Sequence, residues 1–97
     1  MIITEQQLNN TTINMDMTRQ EIEHKIAAII VERMCVGPEE VVDDARLKED
    51  LDMDSLDNID LVIKLEDVFS VSFTDSETDS MDTWTVKDVY DHVESKL

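Results

Sequence analysis

Glycine, proline and cysteine each occur once in this 97-residue chain, and aromatic residues make up only 4% of it. One glycine is too few for the tight turns of a β-sandwich. The shortage of aromatics leaves Ile, Val, Leu and Met to fill the core, and that palette favours helices. The lone cysteine, Cys35, excludes an internal disulfide and a Cys-x-x-Cys metal pair. An unmodified thiol has a pKa of about 8.5 and is mostly unreactive at neutral pH, so Cys35 is expected to pack behind the first helix. Basic residues are scarce as well, 8 against 24 acidic ones, for a formal net charge of -16. Phosphate binding needs Lys and Arg, so nucleic acid is a poor partner. The longest apolar run, Ile26 to Val31, is far too short to cross a bilayer. The N-terminus lacks the basic-then-apolar order of a secretory signal, which points to the cytoplasm.

What the chain does contain is helical period. A chain of this size buries about two-thirds of its unfolded surface, enough for one small core. Residues 1–16 are rich in Asn, Gln and Thr without a clear period, and read as a poorly ordered extension. Thr18 is a candidate N-cap with Glu21 three residues on, the pattern of a capping box. Ile22, Ile26, Ile29, Ile30 and Met34 then share one face of a first helix. Gly37-Pro38 ends it, with Gly37 as the expected residue of positive φ. A long connection follows from Glu39 to Met53, with a short helical turn at its start and Val41, Leu47 and Leu51 as its anchors. Asp54 to Ser70 reads as the second helix, with Leu61, Leu65, Val68 and Phe69 as its core stripe. Asp75 is the expected cap of a short third helix. Thr83 or Thr85 caps the last, whose apolar positions are Val86, Val89, Tyr90 and Val93, and Trp84 packs at the junction. The fold class is therefore all-α: a small four-helix bundle of three main helices and a short third one, with a long loop between helices 1 and 2.

The candidate chemistry lies at Asp54-Ser55-Leu56, where the long loop meets the second helix. Asp54 can accept bonds from the orphan N–H groups of the first turn. Ser55 then stands at the helix start, where a phosphate would meet unpaired N–H groups and the positive end of the helix dipole. Capping alone explains Asp and Ser here equally simply. Serine hydrolysis is excluded: Met53 and Asp57 fill the glycine positions of a nucleophile elbow, and His24 and His92 are distant in sequence. Asp50, Asp52 and Asp54 have the spacing of a calcium loop, but Ser55 stands at its glycine position and Leu61 at its bidentate glutamate. No specific metal site is expected, only weak cation binding by crowded carboxylates. Between Glu49 and Asp82 the only basic residue is Lys64. Partners should therefore carry basic patches.

Asp54-Ser55-Leu56-Asp57, followed by Ile59-Asp60-Leu61-Val62, Leu65-Glu66 and Phe69, resembles the acyl carrier protein signature, and the likeness runs from about Ile22 to Val93. It implies a carrier domain over residues 17–97 and attachment of a 4′-phosphopantetheine arm, taken from coenzyme A, to Ser55. The arm ends in a thiol that carries acyl groups as thioesters. The resemblance implies motif support from Asp54 and Leu56. It also implies a docking face of Asp57, Ile59, Asp60, Ile63, Glu66 and Asp67, although apolar residues at this spacing also suit a core. Implied partners are a phosphopantetheinyl transferase and acyl-chain or acyltransfer enzymes with basic patches, acting on a monomeric carrier that is not itself an enzyme. Fatty acid synthesis is the leading pathway. A dedicated polyketide, peptide or lipid-modifying pathway, or an unmodified acidic interaction module, is the alternative. Asp52 departs from the family, since many relatives have Gly there, and so does Val68, where an acid is common.

Overall fold

The computed structural model describes residues 17–97; the expected N-terminal extension, residues 1–16, lies outside them. Among the described residues there are four α-helices: α1 Arg19–Met34, α2 Ser55–Phe69, α3 Asp75–Ser80 and α4 Val86–Lys96. Short 3₁₀ turns at Pro38–Glu40 and Met81–Thr83 punctuate the connections.

Every one of these α-helices begins with the same device. Thr18, Asp54, Thr74 and Thr85 each accept a backbone N–H three residues on, and Glu21, Asp57, Glu77 and Asp88 reach back to the cap's own N–H. Such a box satisfies two orphan donors at once and contributes about 1 kcal/mol. The cap of α3 is Thr74 and not Asp75, which is the first helical residue. A threonine hydroxyl in extended backbone outcompeted the carboxylate beside it, because Glu77 is spaced to answer Thr74.

The core sits between one face each of α1, α2 and α4. Ile22, Ile26, Ile29 and Ile30 of α1 meet Leu61, Val62, Leu65 and Phe69 of α2 and Val86, Val89, Tyr90 and Val93 of α4, all buried. Burying each such side chain stabilises by roughly 1.5–3 kcal/mol, so packing outweighs capping in holding the bundle. Val68 does not join this stripe; it is 38% exposed, since one further step around α2 points away from the core. Trp84 is buried at the junction as expected, stacked on His92 with ring centroids 3.9 Å apart.

The first helix ends differently from the sequence expectation. Cys35 takes the left-handed conformation, φ 55°, and Gly37 is extended at φ -75°. Cys35 is therefore the conformational stop, and it is exposed and does not pack. Pro38 opens the following 3₁₀ turn, where its missing N–H has no cost.

The long loop is ordered because it is stitched to the start of α4. Leu47 N–H donates to Trp84 O at 3.0 Å, Val86 N–H to Ala45 O at 2.9 Å and Lys87 N–H to Asp43 O at 3.0 Å. Val41, Leu47 and Leu51 are buried as expected, and Ala45 and Met53 join them. Together they hold the chain on its approach to Asp54.

Candidate functional site

Met53 delivers the chain to α2. Its side chain is fully buried and its N–H donates to Leu47 O at 2.9 Å, so the residue before the cap is anchored on both counts. Just upstream Asp52 holds φ 63°. Asp tolerates the left-handed region better than most residues but less well than glycine. Its short carboxylate allows the turn that a glycine would make more freely.

Asp54 caps α2. Its Oδ1 accepts Asp57 N–H at 2.9 Å, while Asp57 Oδ2 accepts Asp54 N–H at 3.0 Å. The N–H of Asp57, first among several backbone donors, holds the Asp54 carboxyl below its ordinary pKa, so it stays ionised. Ser55 is the first residue of a fifteen-residue helix and is exposed. A group bonded to its hydroxyl meets the helix's positive end and open solvent.

Beside Ser55 lies a shallow cleft of about 80 Å³, which Asn58, Ile59, Thr78 and Asp82 help to line. Asn58 is buried at 3% exposure, donates Nδ2–H to Asp82 Oδ1 at 3.0 Å, and has no partner for its Oδ1. The sequence reading missed it, because a polar residue one turn into an amphipathic helix reads as solvent-facing.

The apolar residues of the expected docking face are open. Leu56 is 70% exposed, Ile63 58% and Ile59 46%, so all three leave the core to the neighbouring stripe. Isolated apolar residues on a surface need no explanation, but three on one helix face form a patch. The acids of that face fall into distinct situations. Asp57 belongs to the capping box, and Glu66 Oε2 accepts the N–H of Phe73 at 2.9 Å, tying the loop after α2 to its helix. Asp60 is paired with Arg33 of α1. Asp67 is exposed. Among the described residues, no group of three His, Cys, Asp or Glu side chains is arranged to hold a metal ion.

Residues 24–93 match the family model described as the phosphopantetheine attachment site. The chain belongs to this family. It is 40% identical over 81 residues to the acyl carrier protein of Thermosynechococcus vestitus, covering 84% of this chain and 98% of that one. It is 38% identical over 80 residues to the acyl carrier protein of Thermotoga maritima, covering 82% of this chain and 96% of that one. The solved structure of the acyl carrier protein from Enterococcus faecalis superposes with a TM-score of 0.70 at 31% identity, covering 84% of this chain and 100% of that one. The fold of that neighbour and of this chain is the same.

Proposed function

We propose that Ser55 is the attachment point for a 4′-phosphopantetheine arm and that the chain carries acyl groups on it. The observation that carries this reading is an exposed serine at the first position of a long helix, held by a capped, pinned approach, in a chain of the phosphopantetheine attachment family. The residues fit the group. Ser55 offers a free hydroxyl, the first turn of α2 offers N–H groups to a phosphodiester, and the neighbouring cleft offers the unpartnered Asn58 carbonyl to a donor.

When bound, the arm supplies a thiol that holds acyl groups as thioesters. The protein's own part is different. Ser55 acts as a nucleophile once, in a transfer from coenzyme A that a separate transferase catalyses. Asp54 then has two tasks: it holds the helix start, and its ionised carboxylate stands beside the serine where the transferase's metal must come. The chain is a carrier and not an enzyme, consistent with a serine that has no base beside it.

The exposed face of α2 is the docking surface of this reading. Leu56, Ile59 and Ile63 supply apolar contact, and Asp57, Asp60, Glu66 and Asp67 supply charge for basic patches. The partners are the transferase and the enzymes of acyl-chain synthesis, with fatty acid synthesis as the pathway and the cytoplasm as the setting. The carrier domain spans residues 17–97 and works as a monomer. Among the described residues no helix is long and apolar enough to cross a membrane.

The test is an intact-mass measurement after incubation with coenzyme A and a phosphopantetheinyl transferase. The wild-type chain should gain one arm, and Ser55→Ala should gain none while melting as the wild type does. An unmodified wild-type chain would instead favour an acidic interaction module that keeps the fold without the arm.

A further inference from the structure

The acids of the α2 face differ in what they still offer. Asp57 and Glu66 accept bonds from neutral backbone N–H groups, so each keeps its full negative charge. Asp60 is different. The guanidinium of Arg33, on the neighbouring helix α1, closes directly on Asp60 Oδ2. Both side chains are about half exposed, 47% and 45%, so the pair sits where an approaching protein meets it. It spans a cleft of about 530 Å³ between α1 and α2. Lys64, one turn on from Asp60, lines the same cleft, as does Ile63 of the apolar patch. The strip of helix that reads as continuous acid in sequence thus contains a locally neutralised point with a second cation beside it.

We propose that Arg33 is a specificity-determining residue that masks Asp60 and so weakens docking of enzymes with basic patches. The inference rests on the reading of the α2 face as the docking surface. A basic patch arriving at this face must displace Arg33 from Asp60 or forgo that carboxylate, and it meets Arg33's own positive charge on the way. Exposed ion pairs contribute little to a fold, so the pair can open under a partner without loosening the bundle. Enzymes that supply an acidic side chain to Arg33 or Lys64, alongside basic groups for Asp57 and Asp67, escape the penalty. The pair thereby discriminates among partners of the same general charge.

The test is the KM of this carrier in arm transfer from coenzyme A by a transferase with a basic docking face, at low salt. Arg33→Ala, or Arg33→Gln if the stem is needed, should lower KM about threefold and leave kcat unchanged. Asp60→Asn in the wild-type background should change KM by less than about 1.5-fold, because Arg33 already cancels that charge. In the Arg33→Ala background the same Asp60→Asn change should restore the wild-type KM. Lys25→Ala removes an equal charge from α1 at a different cleft and should not reproduce the effect. High salt should erase the differences. An Asp60→Asn effect of the same size with and without Arg33, or an Arg33→Ala effect matched by Lys25→Ala, would overturn the proposal. So would a wild-type chain that loads while Arg33→Ala leaves KM where it was. A wild-type chain that never gains the arm overturns the attachment reading itself, and the masking role with it.

Discussion

Asn58 and Asp82 are joined by a single hydrogen bond of 3.0 Å that ties α2 to the turn before α4 beside Ser55. It leaves the other pole of the Asn58 amide buried and unpaired. An unpaired buried carbonyl costs about 1–3 kcal/mol, and one hydrogen bond contributes about 1 kcal/mol net. The two nearly cancel. Asn58→Leu should therefore leave stability within about 1 kcal/mol of wild type, because it removes the bond and the orphan together. Asn58→Ala should cost about 1–2 kcal/mol through the space it opens. Urea unfolding of both variants decides this. A Leu variant clearly less stable than the Ala variant would contradict it.

Asp52 at φ 63° sits where relatives' resemblance leads one to expect glycine. Left-handed backbone costs a residue with a Cβ about 1–2 kcal/mol, less for Asp. Glycine removes that strain but loses more freedom on folding. The expected stability order at this position is Gly at or above Asp, then Ala about 1 kcal/mol lower, then Val lower still. Thermal melts of the four chains test the order, and an Ala variant as stable as Asp would show that the strain is not there.

Arg19 is the principal tie between the N-terminal end of α1 and α4. Its guanidinium bonds Glu23 at 2.6 Å, Asp91 at 2.8 Å and Glu94 at 2.6 Å, and lies 5.7 Å above the ring of Tyr90. Single exposed pairs contribute little, but a network around one partly shielded planar cation contributes more. Arg19→Ala should destabilise by about 1–2 kcal/mol and Arg19→Lys should recover less than half, since a point charge cannot serve three carboxylates. A lysine variant equal to wild type in denaturant melts would mean that the fork geometry is irrelevant.

The helix ends read most plainly in the sequence. Thr18, Asp54 and Thr85 were visible as caps because each has its acid three residues on, and the Ile stripe of α1 was visible because every member falls on one 3.6-residue face. Thr74 escaped notice because Asp75 beside it was an equally good cap by residue type. Cys35 escaped notice because left-handed backbone is expected of glycine, and Gly37 stood two residues away. Met81 is fully buried yet sits in a polar run too short to show a period. Ser55 and the exposed Leu56, Ile59 and Ile63 were legible through the family resemblance. The pairing of Asp60 with Arg33, 27 residues earlier, was not, because only the crossing of two helices brings them together.

Acid should unfold the chain partly through Glu77 and Asp91. Lys96, at 2.9 Å, holds the Glu77 carboxyl below its ordinary 4.5, and Lys87 and then Arg19 do the same for Asp91 below 3.8. Both folded-state pKa values are lowered, so the unfolded chain takes up these protons first. Their stabilisation is present above the ordinary carboxylate values and is lost as pH falls through the lowered ones. Lys96→Ala should flatten the fall of melting temperature below about pH 4.5. An acid limb of unchanged slope would exclude that pair as a contributor.

The net charge of -16 should make divalent cations stabilising even without a built metal site. Crowded carboxylates repel, and a doubly charged counter-ion relieves this more than an equal ionic strength of sodium. Millimolar Ca²⁺ or Mg²⁺ should raise the melting temperature by several degrees. Matched melts that coincide would show that self-repulsion does not limit stability.

The account stands on one oxygen. Fragmentation mass spectrometry of the chain after transfer from coenzyme A locates the added group directly. It should fall on the peptide containing Asp54-Ser55-Leu56, on Ser55 alone. An adduct on Ser70, Ser72, Ser76, Ser80 or Ser95, or none on any serine, would contradict it.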